Sequence, residues 1–157
     1  MATTAGATSF LENRLLSYIF KNNAASFSSP GDNLYVGLAT AVSNFSASGE
    51  SGEPSITEAT FTNYVRQQVI ASAWTLTTDT ADTQTCTNSN NIDFPASGGG
   101  SVDTITHLFI ATHASDTLDT LGSGGNVLVI GALNESKTVT SGDIFRINEA
   151  NLSIELK

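Results

Sequence analysis

The side chains with the most chemistry to offer are His107 and His113, six residues apart. On one continuous strand such positions share a face, yet at about 3.3 Å per residue they stand roughly 20 Å from each other. Both cannot ligate one metal ion without a bend, and no cysteine or glutamate cluster beside them supplies the other donors that zinc requires. His107 falls between Ile105 and Phe109 on that face, the setting of a partly buried histidine whose hydrogen bonds are satisfied. Asp103, Asp116 and Asp119 flank the same region. Oxygen-rich loops hold calcium, but these three show neither EF-hand spacing nor a nonapeptide repeat, so solvated loop carboxylates are the expectation. Gly122-Ser-Gly-Gly-Asn126 lacks the Gly-Lys-Ser/Thr ending of a phosphate loop and reads as a hairpin connection. No Gly-x-Ser-x-Gly elbow occurs. Cys86 is alone, so it forms no intrachain disulfide, and its Thr-Cys-Thr setting has no basic neighbour to activate it. Tyr35, Phe45, Tyr64 and Trp74 are the aromatics that could stack on a sugar; most are expected in the core, with Trp74 the best candidate for exposure. The expectation is a protein with no catalytic residues, no metal and no cofactor.

Composition narrows the partners. The chain has 157 residues, with 6 Lys plus Arg against 15 Asp plus Glu and a net charge of −9. The basic residues are scattered singly, so nothing neutralises a run of phosphates or an anionic bilayer, and nucleic acid and membrane are excluded as expected partners. The N-terminus lacks the basic start and apolar run of a signal peptide, and no apolar stretch reaches transmembrane length. Eight Phe, three Tyr and one Trp give bulk for one core, and a chain of this length buries enough surface to need no staples. Ser and Thr make up roughly a quarter of the residues, which suits strands joined by turns.

The elements that would position these groups are mostly strands. Leu152, Ile154 and Leu156 alternate with polar residues, as a half-buried strand requires. Val127 to Leu133 is apolar apart from Gly131, and Gly142-Asp143 marks a turn between β-prone runs from Thr138 to Ile147. Further strands are expected at Asn33–Thr40, Phe61–Trp74, Ile92–Phe94 and Thr104–Thr112. Ser43–Glu58 reads as a long exposed loop, Thr75–Asn90 as weak strand or loop, and Ser115–Asn126 as a loop. The predicted fold is mainly β, a single-domain β-sandwich or jelly-roll-like fold with one N-terminal helix. Residues 1–8 are expected to form a flexible arm and 9–157 the domain.

The one helix is predicted over about Phe10 to Lys21, with Ser9 and Glu12 at capping-box spacing and Asn22-Asn23 as its stop. Leu11, Leu15, Leu16, Tyr18, Ile19 and Phe20 span an arc of roughly 200° at 100° per residue. A helix resting on one core needs about half of that. Deep burial within the domain is the plain explanation. The sharper one is that one side meets a partner subunit, which makes these six residues, with Trp74, the candidate interface.

Several motifs in order carry a resemblance: Leu11-Glu-Asn-Arg-Leu-Leu16, Asn33-Leu-Tyr-Val-Gly-Leu-Ala-Thr40, Tyr64-Val-Arg-Gln67, Asn91-Ile-Asp-Phe-Pro-Ala96, Ile105-Thr-His-Leu-Phe-Ile110, Ser141-Gly-Asp143 and Phe145-Arg-Ile147. Together they resemble a family of small tailed-bacteriophage virion proteins, labelled tail or tail-fibre proteins, with some serving as head decoration (cement) proteins. The resemblance spans nearly the whole chain; it departs where the family leads one to expect a Gly-Gly pair before Tyr64, here Thr60-Phe-Thr-Asn63, and a Trp before Ile105, here Gly100-Ser-Val-Asp103. It implies a structural protein of the virion without catalytic residues. The expected role is capsid decoration, as a homotrimer on the major capsid protein. The alternatives are a tail or tail-fibre component bound to tail proteins, or a glycan-binding receptor module.

Overall fold

The computed structural model describes residues 5–21, 33–46, 49–80, 83–119 and 125–156. The chain is mainly β with one helix, in the order β1 (Ala5–Ala7), α1 (Ser9–Lys21), β2 (Tyr35–Ser46), β3 (Gly49–Glu58), β4 (Gln67–Gln68), β5 (Trp74–Thr80), β6 (Thr83–Asn88), β7 (Ile92–Asp93), β8 (Asp103–Ala111), β9 (Leu118–Asp119), β10 (Gly125–Val139), β11 (Arg146–Ile147) and β12 (Ser153–Leu156). The main sheet runs β1-β10-β8-β2-β3, with β4 added to β2 and β9 to β10; a three-stranded sheet runs β12-β6-β5, and β7 pairs with β11. All pairings are antiparallel except the short parallel one between β9 and β10.

The layers share one core, as in a β-sandwich. Val36 and Leu38 of β2, Ile105 and Ile110 of β8 and Val139 of β10 pack with Ile92 and Ile147 of the two-stranded ribbon, and Trp74, Leu152 and Ile154 of the three-stranded sheet close over them. An aromatic run stiffens this core: Phe61 meets Tyr64 edge-on at 5.3 Å, Tyr64 stacks on Phe94 at 6.0 Å, and Phe94 meets Phe145 edge-on at 5.9 Å between ring centroids.

The opposite face of the main sheet carries a second core, of Ala39, Phe109, Ala111, Val127 and Ile130, joined by Val42, Phe45, Ile56 and Leu118. Gly37 lies opposite Phe109 in register, and the ring occupies the space where a Cβ on that glycine would sit. At the sheet's edge, a Cβ on Gly6 would lie 3.4 Å from Phe45. Small residues on this face thus let the sheet curl until β1 nears the β2 side. Both faces of β10 are covered, which is why Val127 to Leu133 is apolar without alternation. A register shift between Val127 and Val129 divides the run between the two cores.

Several sequence expectations need correction. The flexible arm expected over residues 1–8 is, from Ala5 onward, part of the sheet: β1 pairs with Val129–Gly131, and Thr8 is fully buried. The small side chains that suggested mobility are those that fit the curled edge. Residues 1–4 lie outside the described set. The cap of α1 is Thr8 rather than Ser9, since its Oγ1 accepts from Leu11 N at 3.5 Å and its carbonyl from Glu12 N at 3.1 Å.

The long loop expected over Ser43–Glu58 is instead the β2–β3 hairpin. The hairpin is held by its backbone pairing and by Val42, Phe45 and Ile56 on the second core, and Asn44 takes φ 58° where the register shifts. Thr75–Asn90 contains most of the β5–β6 hairpin, whose register shifts between Thr78 and Thr80. Phe61–Trp74, expected as one long strand, is mostly irregular. It turns at once, with Tyr64 N donating to Phe61 O at 2.9 Å, forms two-residue β4, and makes a 3-10 turn over Ala71–Ala73 before β5 begins at Trp74. The turn at Gly142-Asp143 forms, with φ +86° at the glycine, but the strand beyond it pairs with β7 rather than folding back on β10.

Candidate functional site

The polar groups that could do chemistry are used to hold loops. Glu58, Tyr64 and Arg66 form the densest network. The Tyr64 hydroxyl donates to Glu58 Oε1 at 2.7 Å and accepts from Leu38 N at 2.9 Å. Arg66 grips the same carboxylate with both arms, Nε to Oε1 at 2.8 Å and Nη2 to Oε2 at 2.7 Å. It also donates to the carbonyls of His113 at 2.8 Å and Asp116 at 3.0 Å, and lies 5.5 Å from the Phe109 ring centroid. Burial, with the Glu58 charge next in weight, pushes the Tyr64 phenol far above its ordinary value, so it stays protonated and donating.

Asp103 is buried, and its Oδ2 accepts from Thr60 N at 2.5 Å and Phe61 N at 2.8 Å. Sequence reasoning took it for a solvated loop acid. Asn88 is buried too; its amide donates to the carbonyls of Asn90 and Asn148 at 2.8 and 2.9 Å and accepts from Leu152 N at 2.9 Å, which fastens the C-terminal segment onto β6. Neither Asn88 nor Arg66 stood out in a sequence rich in polar residues. On the surface, Arg146 and Asp93 face each other across β11 and β7, with Nε to Oδ1 at 2.5 Å and Nη2 to Oδ2 at 2.8 Å. The hydrogen bond from Arg146 holds the Asp93 carboxyl below its usual range.

The two histidines have separate roles. His107, in β8, is half-buried, and its Nδ1 lies 2.8 Å from Thr106 Oγ1. That hydroxyl donates to Thr40 O at 2.9 Å, so its oxygen accepts and Nδ1 carries the proton. Burial lowers the His107 pKa. His113 is exposed beyond the strand end. Its Nδ1 accepts from Asp116 N at 3.2 Å and Ser115 N at 3.4 Å, which makes the Asp116 carboxylate at 3.3 Å a neighbour rather than a hydrogen-bond partner. Among the described residues no group of three or more His, Cys, Asp or Glu side chains could hold a metal ion. The Asp119 side chain and residues 120–124 of the glycine-rich loop lie outside the described set. Cys86 is half-buried in β6, and burial raises its thiol pKa. Of the four aromatics considered for sugar stacking, three pack against the cores and Tyr35 is half-buried in β2. Tyr64 belongs to the main core and Phe45 to the second, and Trp74 packs half-buried on the main core with its Nε1 buried and unpaired.

The remaining candidate is α1. No residue of the helix is buried, which overturns the expectation of deep burial within the domain. Leu15, Leu16, Tyr18, Ile19 and Phe20 are all exposed, and Phe20 keeps 78 % of its surface. Leu11, on the same arc, is half-buried. After Leu11, the half-buried residues of the helix are Arg14 and Ser17, on the polar side. Arg14 lies 5.1 Å from the Phe10 ring centroid, and Ser17 bonds Asn13 at 3.4 Å. Six of the seven candidate interface residues are therefore gathered on one helix, and Trp74 stands in another sheet.

No curated protein matches the chain. The sequence model of the family described as Podophage GP4 fiber I protein gp80 matches residues 6–155, from β1 through β12. With all but the outermost residues covered, this chain belongs to that family of tailed-phage virion structural proteins, the tail-fibre kind.

Proposed function

We propose that this protein is a structural component of the fibre apparatus on a phage tail, a rigid β scaffold that joins neighbouring virion proteins. The family match across residues 6–155 carries this reading, and its fibre description favours the tail alternative over decoration of the capsid surface. The disposition of polar groups agrees with a scaffold. Glu58, Arg66, Asn88 and Asp103 are consumed in bonds that tie loops to strands. The role is mechanical and needs neither catalysis nor a cofactor. Its partners are other tail proteins and further copies of itself.

Position and copy number on intact particles test the proposal. Gold-labelled antibody should mark the tail, and quantitative mass spectrometry should count a handful to a few tens of copies per virion. Label spread over the head, at hundreds of copies, would replace this reading with capsid decoration.

A further inference from the structure

We infer that the outward face of α1 is a self-association surface, whose occupant is α1 of a second copy of this chain. The inference does not depend on where on the particle the protein sits.

The first observation is orientation. A helix that packs on its own domain turns its apolar stripe inward. Here the stripe faces solvent while Arg14 and Ser17 are the partly covered residues of the later turns. The second is that α1 is fixed in this pose. Thr8, its cap, is buried and bonded to β10 twice, through Oγ1 to Val127 O at 2.5 Å and through its N–H to Leu128 O at 3.0 Å. β1 just before it is a paired strand. The apolar stripe cannot roll inward without breaking that anchor.

The size and charge of the face identify the occupant. A large side chain presents roughly 150–250 Å² when fully exposed, so these five offer on the order of 500 Å² of mostly apolar surface. That is the size of the largest apolar patch on a typical monomer, roughly 300–600 Å², which is often a functional surface. Specific interfaces take about 800 Å² per partner, and those between identical subunits are about 65 % apolar. An apolar strip of about 500 Å² inside such a patch gives that proportion, which is richer than exchangeable interfaces between different proteins. Charge points the same way. The chain carries −9 overall, so copies repel over most of their surface. Within α1, Arg14 and Lys21 outweigh Glu12. The helix is thus a place where two copies approach with little mutual repulsion.

Sedimentation of the full chain over a range of concentrations tests this, with Leu16→Glu/Ile19→Glu as the helix variant and Leu76→Glu as an exposed apolar control on β5. The native chain and the control should sediment as oligomers of the 16.3 kDa chain. The helix variant should dissociate, its self-affinity weakened roughly 30-fold or more, with an unchanged β-type circular dichroism spectrum. A native chain that stays monomeric, a helix variant that associates as before, or a control that dissociates equally would overturn the proposal. So would unfolding of the helix variant, since these side chains would then be serving the fold.

Discussion

Asn88 illustrates how much one buried amide holds in this molecule. Its three side-chain hydrogen bonds reach residues 90, 148 and 152. Asn88→Ala leaves two carbonyls and an N–H without that partner and should cost about 2–4 kcal/mol, read as a lower urea midpoint. Tyr64 gives a pH signature. The phenol is neutral in the folded chain well above its ordinary value of 10.0, whereas the unfolded chain ionises near that value. Its contribution is therefore complete below about pH 10 and is lost as pH rises further. Tyr64→Phe should flatten the alkaline fall in melting temperature, while costing about 1–3 kcal/mol at neutral pH because Leu38 N–H loses its acceptor. Asp93 acts on the acid side. Its carboxyl is held below 3.8 by Arg146, so its contribution is present above about pH 4 and fades as pH falls through the lowered value. Asp93→Asn should shrink the acid limb of the melting curve against pH and lower neutral stability by the same small amount. None of these roles was legible beforehand. An asparagine that closes three loops and one that sits in water look alike when a chain is full of Asn, Ser and Thr.

At the scale of elements, legibility followed local chemistry. Alternation revealed β12, the apolar run revealed β10, and the helix showed itself through its apolar arc. The β2–β3 and β5–β6 hairpins were missed in part because Ser, Gly, Glu and Thr read as loop, whereas backbone pairing between the two strands carries each ribbon. Phe61–Trp74 misled in the opposite sense: apart from the short pairing of β4 with β2, its β-prone residues are held by Tyr64, Arg66 and the Asp103 carboxylate. The candidate surface was legible as an arc, yet its outward direction was not, because direction depends on how Thr8 seats the helix on β10. Gly37 supplies the test at this scale. Gly37→Ala drives a methyl into the Phe109 ring and should lower stability by about 1–3 kcal/mol. Phe109→Leu combined with it should recover part of the loss, a coupling that a double-mutant thermal series would measure.

The molecule as a whole carries few charged residues. At 13 % charged residues, ion pairs cannot dominate an interface, and exposed pairs contribute only about 0–1 kcal/mol each. Assembly through α1 should therefore persist in about 1 M NaCl, where the screening length falls to about 3 Å. Release of the protein from virions under that treatment would mean that its acidic surface, seated on a basic partner, is what holds it there.

The pairing of β1 with β10 also has a consequence in time. Ala5 meets Gly131, and Thr8 bonds Val127 across 119 residues of sequence. Contacts that close such long loops form late and slow folding. During synthesis, α1 (Ser9–Lys21) emerges well before β10 (Gly125–Val139), the strand that seats it. Until then its apolar side chains are unanchored, and no pose is set for a neighbour to recognise. If copies pair through α1 as proposed, that recognition waits until β10 is made, an order of events that guards an assembly against joining half-made parts.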